Sequence, residues 1–136
     1  MTMSVKSKKH TKSAWKVRMS KVEKRWGTES NWGALPSIHG KLLHINAGQQ
    51  TSFKYYRLKN ESLMVLSGKV GVLYGDELSL SDPVQHPFKR DILVAGEGIN
   101  IQSCCPYMIT AIEDSEVLEI GDHQDTQKVK VTDISI

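Results

Sequence analysis

Between Gly48 and Gly68 the chain reads GQQTSFKYYRLKNESLMVLSG, and its ionisable side chains are three cations, of which Lys54 comes first, two phenols and one carboxylate. Five residues separate Gly48 from Lys54, four separate Tyr56 from Glu61, and six separate Glu61 from Gly68. An ammonium can hold a phosphate or carboxylate. A carboxylate can act as base or metal ligand, and a phenol with a pKa near 10 donates hydrogen bonds and is a weak acid. Adjacent Cys104 and Cys105 offer less, since a bridge between neighbours strains the peptide joining them. No CxxC and no spaced histidine pair completes a four-ligand zinc set, so two reduced thiols on a strand or its end are expected. His44 falls inside a predicted strand and is expected to be a core or surface residue, while His39, His86 and His123 fall in predicted loops and are expected to be solvated.

The elements that must position these groups are short strands. KLLHINA (41–47), 62–66, KVGVLY (69–74), 91–95, 99–101, 107–112 and 117–120 are apolar or alternate apolar with polar. Gly48, Gly68, Gly75 and Gly96 punctuate them, and residues 26–40 read as a turn-rich opening with Gly27, Gly33, Pro36 and Gly40. No 3.6-residue period persists, so the pattern predicts an all-β sandwich or barrel. Residues 75–90 read as a polar connection, and a weak alternation in VKVTDISI closes the chain.

Charge divides the chain. Of 18 Lys and Arg, nine lie in residues 1–25 against the single acid Glu23; the remainder carries nine against fourteen acids. A basic arm on a mildly acidic domain follows. Residues 1–13 hold too few apolar side chains to order alone. Trp15, Val17 and Met19 then alternate with Lys16 and Arg18, as in a short strand or an extended segment laid on another surface. Lys8, Lys9, Lys12, Trp15, Lys16 and Arg18 are the expected contacts to an acidic protein surface or nucleic acid. No apolar run approaches the roughly 20 residues that span a bilayer. The first residues lack a signal-peptide core, so a cytoplasmic location is expected, free or within an assembled particle.

The spacing from Gly48 to Gly68 resembles the first motif of the cupins, in which a glycine, two histidines, a glutamate and a second glycine recur at these intervals. Here Lys54 and Tyr56 stand in the histidine places and Glu61 in the glutamate place. A second motif is matched more thinly. Gly96 and the spacing remain, and Tyr107 stands where a third histidine would. Lys24-Arg25-Trp26-Gly27 is similar to the opening of the C-terminal cupin of type II mannose-6-phosphate isomerases. The resemblance implies a cupin-type double-stranded β-helix, a jelly-roll barrel, over residues 21–121. A basic arm would occupy 1–20, and 122–136 would form an extension or final strand. Homo-oligomerisation is also implied.

In such a barrel the four aligned residues would face one interior. Three histidines and a glutamate hold the metal of a cupin; with Lys54, Tyr56 and Tyr107 in the histidine places, only Glu61 remains a ready ligand, so neither a metal nor another cofactor is expected. Three uses stay open. Lys54 could pair with Glu61 in a polar plug. Lys54, Tyr56, Glu61 and Tyr107 could form an anion-accepting pocket. Or Tyr107 or Tyr56 could serve as acid and Glu61 as base. The first reading makes the chain a structural or binding module of a larger assembly, such as a viral or other large particle. The last makes it an isomerase or epimerase of a sugar phosphate or nucleotide sugar.

Overall fold

The computed structural model describes residues 12–122 and 127–131. Among the described residues there are eleven strands: β1 Ser20–Lys24, β2 Gly27–Leu35, β3 Ile38–Ile45, β4 Lys54–Tyr56, β5 Glu61–Ser67, β6 Lys69–Tyr74, β7 Lys89–Val94, β8 Gly98–Ile101, β9 Tyr107–Ala111, β10 Ser115–Gly121 and β11 Lys128–Lys130. They form two antiparallel sheets, ordered β1-β2-β3-β10-β5-β8 and β11-β4-β9-β6-β7. Among the described residues no helix is long and apolar enough to cross a membrane.

Period-two alternation builds the core. Leu43 and Ile45 of β3, Leu63 and Val65 of β5, and Val117 of β10 face Val70 and Val72 of β6 and Ile109 and Ala111 of β9. All are buried, and their apolar area is the main force closing one sheet on the other. The same alternation carries polar groups inward at one end. Glu61 precedes Leu63 and Val65 on the inward face of β5, and Glu119 follows Val117 on that of β10. Lys54 and Tyr56 on β4, and Tyr107 on β9, do likewise.

The β5–β6 hairpin turns on Gly68, whose φ is +89°. A side chain there would also run into Ser115 and the carbonyl of Asp114. Only glycine meets both demands cheaply.

Two parts of the sequence reading need correction. Residues 27–35 are not a turn-rich opening but the nine-residue strand β2, paired with β3 from Gly27↔Ile45 to Leu35↔Ile38 with a register shift after Trp32. Gly33 sits in that irregularity at φ +78°, so the glycines mark a distorted hairpin rather than loops. His39 is not a solvated loop residue; it lies on β3 and is partly buried. Ser20–Lys24 forms an edge strand paired with β2, while residues 12–19 carry no regular structure and are exposed. Lys8 and Lys9 of the predicted arm contacts, and His123, lie outside the described residues.

Candidate functional site

The polar groups at the inner end of the barrel make one connected cluster. Lys59 Nζ lies 2.9 Å from Glu61 Oε2 and 3.2 Å from Glu119 Oε2, with all three side chains at most 5% exposed. The same ammonium sits 4.2 Å from the centroid of the Tyr56 ring and 3.4 Å from His39 Nε2. Tyr107 Oη donates to Glu61 Oε1 at 2.7 Å. Glu119 Oε2 is also 3.9 Å from His39 Nε2.

Lys59, not Lys54, is therefore the partner of Glu61. Lys54 is equally interior, at 9% exposure, but its register partner is Tyr107, and its ammonium rests over that ring at 4.1 Å. Lys59 comes from the irregular link between β4 and β5, where a lysine ordinarily points to solvent. Its burial has no local sequence signal. Glu119 did have one, because it shares the inward face with Val117.

Burial and charge set the protonation of the cluster. Burial, reinforced by the neighbouring Glu119 charge, pushes Glu61 up to about 7 against the opposing pull of Lys59 and Tyr107. Burial would raise Glu119 as well. The polar neighbours His39 and Glu61, together with the Lys59 charge, overcome it and hold Glu119 well below the usual carboxylate range. The two carboxyls thus behave as a pair that retains one proton longer than an isolated glutamate would. Lys59 is raised, since the charges of Glu119 and Glu61 outweigh its burial. Lys54 is lowered to about 8 because burial outweighs the more distant carboxylates, and Lys128 and Lys41 push the same way. Burial, then the two glutamate charges, drives Tyr107 well above the ordinary tyrosine value.

Above this cluster opens a cavity of about 580 Å³. Lys54, Tyr56, Lys59 and Glu119 form part of its wall, whereas Glu61 and Tyr107 do not line it; Glu61 lines a separate cavity with Ser62 and Asn100. Trp26 and Trp32 contribute aromatic surface. Trp32 lies flat against Gly40, where any side chain would collide with the ring. Six cations line the cavity, Arg18, Lys24, Lys41, Lys54, Lys59 and Lys128, against two acids, Glu29 and Glu119. Lys41 pairs with Glu29 at 3.5 Å, and Lys59 with Glu61 and Glu119. Among the described residues no carboxylate reaches ion-pair distance of Arg18, Lys24, Lys54 or Lys128. Burial and the charges of Lys24, Lys130 and Lys41 lower Lys128.

Of the arm residues, Arg18 reaches this cavity, while Lys12, Trp15 and Lys16 are solvent-exposed, Trp15 at 65%. Cys104 and Cys105 are free thiols outside the cavity lining, Cys104 with a positive φ of 69°. His44 is half-buried on β3, and His86 Nδ1 is 2.8 Å from Asp76 Oδ2.

No protein-family model matches the sequence, and no curated protein matches it. Solved structures do match its shape. The Lactobacillus farciminis oxalate decarboxylase formate complex superposes with a TM-score of 0.69 at 16% identity, covering 85% of this chain and 34% of that one. A deletion variant of Bacillus subtilis oxalate decarboxylase gives 0.71 at 15% identity, covering 85% and 30%. A point variant of the same enzyme gives 0.66 at 15%, covering 77% and 27%. The chain thus spans about a third of the length of these neighbours. Bacillus subtilis oxalate decarboxylase has Mn(II) centres. The cluster described above does not fit such an ion. Its two carboxylates are already bridged by an ammonium, and a second ammonium lies against the adjacent phenol. Among the described residues no three His, Cys, Asp or Glu side chains converge to hold a metal. At this level of identity the likeness concerns architecture alone, and the chain has the cupin-type β-barrel fold.

Proposed function

We propose that this chain is a metal-independent binding barrel whose cavity takes a small organic anion, a phosphorylated or carboxylated molecule with a ring. The observation that carries the reading is Lys54. It is a lysine nine-tenths buried, facing a 580 Å³ cavity, with no carboxylate partner among the described residues. A buried charge without a counter-ion is costly, and an anionic ligand removes that cost. Trp26, Trp32 and Tyr56 offer faces against which a ring can lie. Pockets of this size, with a few convergent polar groups, are typical of small-ligand sites.

Thermal denaturation against sugar phosphates, nucleotide sugars, dicarboxylates and divalent metals tests this reading. A ligand at 100 times its Kd adds about 2.7 kcal/mol, which in a domain of this size raises Tm by several degrees. The expected result is such a rise with at least one organic anion and none with Mn, Zn or Fe alone. Stabilisation by a metal alone, or by none of the anions, overturns the reading.

A second reading, isomerisation or epimerisation of a bound sugar phosphate, draws on one further observation. Glu61 titrates near neutrality and is hydrogen-bonded to Tyr107, the pairing an acid–base step uses. Neither group lines the cavity, which is why binding is preferred over turnover. Outside the cavity, the exposed Lys12, Trp15 and Lys16 support docking of the arm on an acidic partner.

A further inference from the structure

We propose that the cavity holds a doubly anionic ligand at two levels, one anionic group on Lys54 at the floor and the second at the mouth among Lys24, Lys128 and Arg18, the last supplied by the arm. The inference rests on the anion-binding reading above and adds the ligand's charge pattern and the arm's part in recognising it.

The four cations without a carboxylate partner among the described residues are not equivalent. Lys54 is at the floor, held against Tyr107 and almost sealed from water. Lys24 is half-exposed, and Arg18 and Lys128 are exposed, which places them at the rim of the same cavity. β1 supplies Lys24 and β11 supplies Lys128; these are the outermost strands of different sheets, and like-charge repulsion between the two lysines is felt at Lys128. Such repulsion among rim cations is relieved by an anion lying between them. Lys59 and Lys41 are already neutralised by their own carboxylates, so the free positive charge falls into these two groups rather than one. Trp26 and Trp32 line the space with them, matching a ligand whose ring separates two anionic ends.

Arg18 makes the arm part of the site. It lies in the irregular segment before β1, yet it and Val17 line the cavity. A guanidinium carried on exposed backbone can close over a phosphate with two parallel hydrogen bonds, which a lysine cannot match. Substituting it does not threaten the fold, because the side chain is exposed and has no ion-pair partner among the described residues.

The test is calorimetric titration of the full chain with fructose 6-phosphate and fructose 1,6-bisphosphate, repeated on Arg18→Ala and on Arg90→Ala, whose residue lies on β7 away from the cavity. The bisphosphate is expected to bind at least tenfold more tightly than the monophosphate. Arg18→Ala is expected to erase most of that advantage, and Arg90→Ala to preserve it. Equal affinities for the two ligands, or an undiminished advantage in Arg18→Ala, overturn the two-level site and leave the anion cavity standing. Binding of neither sugar phosphate overturns this inference; if the wider panel of anions is silent as well, the functional reading falls with it.

Discussion

Replacing Lys59 with methionine is expected to destabilise the barrel by about 3–5 kcal/mol, the cost of removing one partner from a buried ionic cluster. Lys59 is 3% exposed and bridges two carboxylates that are themselves nearly sealed from water. Without the ammonium, Glu61 and Glu119 repel across a low-dielectric interior. Protonation offers partial escape, since Glu61 already takes a proton near neutrality. The loss should therefore be larger at pH 8 than at pH 6. Urea denaturation at the two pH values measures it. A loss below about 1 kcal/mol at both would mean that the lysine is not what holds the carboxylates in place.

Lys54→Met should behave in the opposite way. No carboxylate is stranded by it, and the lysine's own pKa is lowered to about 8 because its charge is unwelcome where it lies. A methionine of similar length fills the space over the Tyr107 ring. Stability is expected to hold or rise slightly. Anion affinity is expected to fall by about tenfold to a hundredfold, the worth of a hydrogen bond to a charged group. Calorimetric titration and urea denaturation of the same variant separate the two effects. Loss of stability with retained affinity would exchange the roles assigned to Lys54 and Lys59.

That exchange is the point at which the sequence misleads. Motif spacing places Lys54 beside Glu61, and the strand alternation does turn both inward. Side-chain direction alone does not choose the ion pair. Lys54 is in register with Tyr107, so its ammonium ends over a ring, and the carboxylate is met instead by a lysine from an irregular link. A loop lysine gives no periodic signal, and its burial depends on two carboxylates arriving from β5 and β10. Glu119 was readable in principle, because Val117 and Glu119 are two residues apart on one face. The strands from β5 to β10 were legible for the same reason: they alternate or are apolar throughout. β2 was hidden by its glycines, which serve a distorted hairpin rather than a loop. The cavity could not be read at all, since Arg18, Lys24, Lys54 and Lys128 converge only through the pairing of β1 with β2 and β11 with β4.

The most direct test of the central claim, an anion held by a buried lysine, is the pH dependence of binding. A phosphomonoester is fully dianionic above pH 7, its second pKa being about 6. Any loss of affinity at higher pH then comes from the protein. Burial places the Lys54 pKa near 8, below those of ordinary lysines. Affinity for the best ligand of the thermal panel should fall only modestly between pH 7 and 8, as Glu61 gives up its proton near 7, then roughly tenfold per unit above 8 as the Lys54 ammonium loses its own. An affinity at pH 9.5 equal to that at pH 7 would contradict the account.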